Sequence, residues 1–371
     1  MKTTDFDYDL PADRIAQHPL AERDHARMLV LNSNGTATHA TVRDLPQLLS
    51  PGDLLVLNDS RVFPARLTGH RQDGGEAEVL LLRPLEQDRG RWEALIRPAR
   101  RLPAGSSVQF PGSPMRVSIE EHRGDTAIVS LDGVADAVAE VRRIGAMPTP
   151  PYIKEPLRDP ERYKTVYARE EGSAAAPTAG LHFTPQLLAS IRDRGVETAF
   201  VTLHVGVDTF RPVRADDPAE HPMHREWYRI DAGTAAAVAA TRRRNGRVIA
   251  VGTTCVRVLE SAADENGVRA GEAWTNLLIL PGHRFRVVDA MLTNFHLPKS
   301  TLLMLVSAFA GKEQILSAYR EAIAKGYRFY SFGDCMFITA PTLTLPKRLK
   351  RSHRTKARLA WAGGPGERGR E

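Results

Sequence analysis

GSAAAPTAGLHFTP, Gly172 to Pro185, runs on into QLLASIRDR and, past Gly195, into VETAFVTLHV, which ends at Val205. Thr184 and Pro185 read as a helix N-cap followed by proline at the first helical position. Gly195 stops that helix, and the segment after it is a breaker-free run rich in β-branched and aromatic residues, a buried strand. Loop, helix and strand succeed one another as in an α/β unit. The small residues ahead of His182 let a ligand approach the backbone, and Ala179, Gly180, Leu181 and His182 sit just upstream of a helix start, which favours anionic groups.

The strand carries His204 into an irregular stretch, TLHVGVDTFRPV, and HPMHREWY comes next with His221, His224 and Glu226. Downstream the alternation continues: helix TAAAVAATRRR, strand RVIAVG, helix CVRVLESAA, strands TNLLIL and FRVVDAML, helices STLLMLVSAFAG and KEQILSAYREAIAKG, and strand YRFYSF. Such alternation argues an α/β domain. Upstream, a short N-terminal helix, a hairpin around Asn34 and Gly35 and a strand DLLVLN lead to about Ser60. The texture then changes. VFPARLTGH, EAEVLLLR, RWEALIRP, SSVQF, MRVSIEEH and DTAIVSL are six short alternating runs punctuated by Gly, Pro and Asp, which read as a small antiparallel barrel. A helix-like VADAVAEVRRI and the proline-rich MPTPPYIKEP close that region. The expected architecture is a large α/β domain formed by both ends of the chain, residues 1–60 and 149–340. A β-barrel domain, 61–148, is inserted in it, and a basic tail, 341–371, ends the chain.

With 371 residues and 42% hydrophobic content, the chain can bury a large core in two domains. No apolar run approaches the roughly 20 residues of a membrane span, and MKTTDFDYDLPAD is too acidic and polar for a signal peptide, so a cytoplasmic protein is expected. Cys255 and Cys335 are its only cysteines, which argues against a disulfide scaffold or a cysteine-built zinc site. The net charge of +7 is unevenly placed: residues 341–371 hold nine Lys or Arg and two acids, leaving 42 basic and 42 acidic residues in the body. That tail can hold polyanions weakly and salt-dependently, or serve only as a solubilising segment.

Chemistry gathers in a few short motifs. VIAVGTTCVRVLES sets Gly252, Thr253 and Thr254 between a strand and a helix, where amides and hydroxyls can take the polar part of a nucleotide-like ligand. The pattern equally suits a tight turn with an N-cap. TNFHLPKSTL crowds Asn294, His296 and Lys299 into a loop ending at the Ser300 N-cap, and such a density of donors is costly to bury without a ligand. YSFGDCMFI adds Gly333, which marks a bulge or a turn, and Asp334, which suits a cation partner. His221, His224 and Glu226 form HxxHxE on a proline-containing segment, without the helical geometry of a metalloprotease site, so no metal is expected. Proton transfer and hydrogen bonding suit these side chains better. Gly364, Gly366 and Gly369 spell GxGxxG, but no strand precedes them and no helix comes after, so they do not mark a dinucleotide site.

Taken in order, DYDLPADRIAQHP, LVLNDSRVFPARL, GSAAAPTAGLHFTP, TLHVGVDTFRPV with HPMHREWY, VGTTCVRVLES, TNFHLPKSTL and YSFGDCMFI closely resemble the S-adenosylmethionine:tRNA ribosyltransferase-isomerase family of queuosine biosynthesis, from about residue 3 to 340. The resemblance implies that the ribosyl part of S-adenosylmethionine is transferred to the aminomethyl group of 7-deazaguanine preQ1 at the tRNA wobble position. Epoxyqueuosine forms, and adenine and methionine are released. It also implies an inserted barrel and a monomer. Val207, Asp208, Cys255, Phe332 and Cys335 depart from residues common in the family, and the tail lies outside the match.

In that chemistry the sulfonium acidifies the ribosyl C5′ protons, so a base can form an ylide. Departing adenine then needs a proton, and the substrate amine must lose one. The candidates for these steps are His182, His204, His224, Glu226 and His296. Gly252, Thr253 and Thr254 are expected to hold the nucleoside, Thr178, Gly180, Asn294 and Lys299 to bind substrate, and Asp334 or Glu170 to lie near the cation. A local basic face, with Arg97, Arg100 and Arg101 as a lip, is expected to hold the anticodon arm of the preQ1-containing tRNA. Two other readings compete. An RNA methyltransferase using the same cofactor would show a glycine-rich loop after the first strand of the α/β domain, and none is present. A non-catalytic RNA-binding module would leave the His-rich loops without a purpose.

Overall fold

The computed structural model describes residues 1–85, 90–206, 213–223, 225–265 and 267–339. His224, Val207, Asp208 and the basic tail therefore lie outside the described residues. A nine-stranded sheet runs, edge to edge, through Gly271–Thr275, Glu226–Ile230, Glu197–Leu203, Leu54–Asn58, Val248–Val251, Ala290–Asn294, Cys335–Ile338, Arg27–Leu31 and Ala37–Thr41. Its four middle strands, Glu197–Leu203 to Ala290–Asn294, are mutually parallel, and antiparallel strands flank them. Parallel strands are buried on both faces. Accordingly, Leu54 and Val56 pack in one core with the helices Thr253–Ala262, Thr301–Ala310 and Lys312–Ala324, while Leu55 and Leu57 pack in a second with the helix Pro185–Asp193. The expected caps are in place. Thr184 Oγ1 accepts from the Leu187 amide at 3.1 Å and Ser300 Oγ from the Leu303 amide at 3.2 Å, and Gly195 takes φ 75° after the first of these helices.

The six alternating runs form a closed antiparallel barrel in the order Thr126–Asp132, Arg91–Arg97, Glu76–Pro84, Arg66–Arg71, Ser107–Gln109 and Arg116–Arg123. Its interior is filled by its own core, including Leu67, Val79, Trp92, Val108, Val117 and Val129. The chain leaves the large sheet for the barrel after Asn58, at the carboxyl end of a central parallel strand. A parallel pair, Ser60–Val62 with Glu170–Ser173, stands at this junction. Insertion at that point places the barrel over the carboxyl edge of the sheet.

Three expected strands differ. TNLLIL contributes only Thr275, and the strand there is Gly271–Thr275. FRVVDAML becomes strand only from Ala290, because the buried Glu260 carboxylate accepts from the amides of Arg286, Val287 and Val288 at 2.8, 3.0 and 3.1 Å and leaves them no need of a neighbouring strand. YRFYSF makes a single bridge, Phe329 to Ile15, before Tyr330 turns into the left-handed region at φ 70°, and the strand begins only at Cys335–Ile338.

Candidate functional site

The four parallel strands end side by side, and each delivers polar residues to the same edge. His204 comes directly after Leu203, Ser60 lies two residues beyond Asn58, Gly252 comes directly after Val251, and His296 lies two residues past Asn294. Two adjoining cavities occupy this edge, with Val205 and Leu302 in the wall of both. The larger, about 350 Å³, is bounded by His204, His221, Arg225, Glu226 and Arg257 from the sheet side and by Arg83, Glu93 and Thr126 from the barrel. Leu277, Leu278, Ile279 and Leu305 supply its apolar wall. The smaller, about 50 Å³, is lined by Thr178, Gly252, Thr253, Thr254, Asn294, His296 and Tyr330.

His204 is fixed from three directions. Its Nδ1 lies 2.9 Å from Ser60 Oγ, its ring stacks on Trp227 with centroids 5.0 Å apart, and Gly172 backs it so closely that a Cβ there would fall 2.8 Å from Nε2. The Ser60 contact sets the tautomer and orientation of the ring. Glu226 is buried and held on both oxygens. Oε1 accepts from the Gly206 amide at 2.9 Å, and Oε2 accepts from Arg257 Nη1. Arg257 also donates through Nε to the Leu277 carbonyl at 3.1 Å.

In the smaller chamber, Gly252 takes φ 89° at the head of the helix Thr253–Ala262, whose first turn faces the cavity. Thr178 Oγ1 donates to Asn294 Oδ1 at 3.2 Å, and Asn294 Nδ2 donates to the Tyr330 carbonyl at 3.1 Å and to His182 Nε2 at 3.2 Å. His182 thus stands behind Asn294. It faces a separate small cleft with Arg23, Arg162 and Arg328. Burial and the nearby Arg328 charge push its pKa down to about 4, so its ring is a neutral acceptor. Burial likewise lowers His296 to about 3, and its Nε2 lies 3.0 Å from Thr293 Oγ1.

Four other residues singled out by sequence fall outside both cavities. Gly180 is a packing glycine, since a Cβ there would meet the Tyr167 hydroxyl at 2.1 Å. Lys299, at φ 56°, pairs with Asp7 at 2.8 Å near the surface. The Asp334 carboxylate accepts from the Arg27 and Arg328 amides at 3.0 and 2.8 Å and ties the turn to the strand Arg27–Leu31; its pKa is raised by burial. Glu170 pairs with Arg229 at 2.8 Å. Arg97, Arg100 and Arg101 are exposed on the barrel and do not line the large cavity, whereas Arg83 and Arg225 do, and both lie over the ring of the exposed Trp274, at 5.1 and 5.8 Å. Among the described residues no group of three or more His, Cys, Asp and Glu could hold a metal ion. Sequence reasoning passed over Arg257, Trp227 and Trp274. Arg257 carried no distinct signal, because Thr253, Thr254, Glu260 and Ser261, its neighbours three and four residues away, are polar too and read together as the outer face of an amphipathic helix.

A mixed α/β scaffold with a cavity at the carboxyl edge of its parallel strands, roofed by a barrel and walled by proton-carrying side chains, defines an enzyme of small-molecule or nucleoside chemistry. The family described as queuosine biosynthesis protein matches residues 3–338, and the chain belongs to that family. It is 53% identical over 344 residues to the S-adenosylmethionine:tRNA ribosyltransferase-isomerase of Symbiobacterium thermophilum, covering 91% of this chain and 100% of that protein. It is 52% identical over 341 residues to the protein of the same name from Citrifermentans bemidjiense, with the same coverages. The crystal structure of S-adenosylmethionine tRNA ribosyltransferase from Thermotoga maritima matches at TM-score 0.53 and 36% identity, over 90% of this chain and 99% of that one. No helix among the described residues is long and apolar enough to cross a membrane.

Proposed function

We infer that the chain is an S-adenosylmethionine:tRNA ribosyltransferase-isomerase, which moves the ribosyl group of its co-substrate onto the aminomethyl group of preQ1 in tRNA and releases adenine and methionine. The observation that carries the chemistry is the convergence of His204, Glu226, the Gly252–Thr254 turn, Asn294 and His296 on two adjoining cavities, although the chain spaces them over nearly a hundred residues. At about 350 Å³ the larger cavity has the size of a small-ligand site. The smaller chamber, about 50 Å³, has room for only part of a nucleoside, to which Thr253, Thr254 and Asn294 offer hydroxyl and amide contacts.

The geometry divides the proton carriers. His182 and His296 stay neutral at physiological pH and act as hydrogen-bond partners that fix Asn294 and the Thr293 loop. His204 and Glu226 face the larger cavity, so deprotonation at C5′ falls to them. The chain approaches tRNA through the open side of that cavity, where Trp274 is 41% exposed and Arg83 and Arg225 flank it. Exposed aromatic rings beside arginine stack unpaired bases such as those of an anticodon loop.

A co-substrate deuterated at C5′ tests this assignment. The wild type releases deuterium to solvent, while His204→Ala or Glu226→Gln retains it. Undiminished release in both variants removes these residues from the mechanism.

A further inference from the structure

One buried cation pairs with Glu226 and keeps a donor that these proton transfers do not use. Arg257 is 5% exposed and lines the larger cavity from the helix Thr253–Ala262. Its Nε and Nη1 are taken by Leu277 and Glu226, but Nη2 is buried without a hydrogen-bond partner among the described residues. A buried donor on a charged group is costly to leave unmet. No second carboxylate of the larger cavity pairs with Arg257 among the described residues, and leucines and Ile279 make up the wall beside it. The unmet donor calls for an acceptor carried by the ligand, and a carboxylate is the strongest that a guanidinium takes.

We propose that Arg257 binds the α-carboxylate of S-adenosylmethionine in the larger cavity. This rests on the ribosyl-transfer reading and specifies where the aminoacyl arm of the co-substrate lies. Thr253, which lines the smaller chamber, and Arg257 are four residues apart on one helix, so they share a face and stand about 6 Å apart along its axis. One helix thereby presents hydroxyls to the nucleoside end and a cation to the carboxylate end, with the sulfonium between them. A phosphate of the tRNA backbone is excluded as the partner by depth, because a polynucleotide chain cannot follow a side chain that is 5% exposed into a cavity roofed by the barrel. Besides its part in proton transfer, Glu226 holds the guanidinium in register with the cavity through its salt bridge.

The test compares two ligands on two proteins by titration calorimetry: S-adenosylmethionine and its decarboxylated form, on the wild type and on Arg257→Gln. The wild type binds the decarboxylated form roughly 10- to 100-fold more weakly, and in Arg257→Gln the two affinities come within about twofold of each other. The wild-type comparison needs no variant, and Arg257→Gln combined with Glu226→Gln repeats the test without leaving a buried carboxylate unpaired. Equal affinity of the wild type for both ligands overturns the proposal, as does an undiminished preference for the carboxylate in the variants. Absence of S-adenosylmethionine binding to the folded wild type, both alone and with preQ1-containing tRNA bound, would instead remove the ribosyl-transfer reading, and this proposal with it.

Discussion

Gly172→Ala adds one methyl group and loads the position of His204 directly. Gly172 holds φ 147°, a backbone conformation that side chains rarely adopt, which costs on the order of 1–3 kcal/mol. The new Cβ would fall 2.8 Å from His204 Nε2 and 3.1 Å from Cδ2 and Cε1, so the ring must retreat by several tenths of an ångström. Retreat is opposed by the stacked Trp227 ring and breaks the 2.9 Å contact with Ser60. A misplacement approaching 1 Å at a reacting group costs about 100-fold in rate, so kcat for adenine release should fall roughly 10- to 100-fold. The melting temperature should fall by several degrees. Gly74→Ala supplies the control: at φ 80° it carries similar strain on a barrel hairpin with nothing within 4 Å of the added carbon, so it loses stability but not turnover. Equal turnover in Gly172→Ala and the wild type refutes the placement of His204 as a working group.

Acid should destabilise the protein earlier than its carboxylates alone demand. His182 and His296 have folded pKa values lowered to about 4 and about 3, so below about pH 6.5 the unfolded chain binds protons that the folded one refuses. Stability is unaffected by them above that pH and falls as pH drops toward 4, by up to about 1.4 kcal/mol per unit for each histidine; urea titrations at pH 7, 6 and 5 measure this, and a flat profile contradicts it. Asp53 accepts from the Ser50 and Arg247 amides at 2.8 and 3.0 Å and from Arg247 Nε at 3.1 Å, so Asp53→Ala should cost about 3 kcal/mol in the same titrations. Trp274→Ala should raise the dissociation constant for tRNA roughly 5- to 100-fold, read by filter binding, if a base stacks on that ring. A chain lacking residues 345–371 should keep its turnover, whereas a tail-driven RNA binder would lose its affinity for RNA.

The barrel and the parallel strands were legible because each announces itself locally. Alternation with a period of two marks strands filled on one side, as at Leu67, Val79 and Val117, and the unbroken LLVL of residues 54–57 marks a strand covered on both. Helix starts were legible because Thr184 and Ser300 accept from amides only three residues on, those of Leu187 and Leu303. What misled was backbone satisfied at long range. Arg286 to Val288 look like strand, but a carboxylate from another helix takes their amides. Within the site, the polar motifs were found but their roles were not separable. Lys299 sits in the same motif as Asn294 and differs in what the fold turns it toward, Asp7 rather than a cavity, and Asp334 is turned to the amides of Arg27 and Arg328. Arg257 was passed over for the complementary reason, since its motif reads as an amphipathic helix until Glu226, thirty-one residues earlier, is brought against it.

The most direct test of ribosyl transfer is product analysis. The purified chain is incubated with S-adenosylmethionine and preQ1-containing tRNA, and the small molecules and digested nucleosides are read by mass spectrometry. Release of adenine and methionine together with an epoxycyclopentanediol-modified base is the predicted result. S-adenosylhomocysteine with a methylated nucleoside, or unchanged tRNA from folded protein and intact co-substrate, would contradict it.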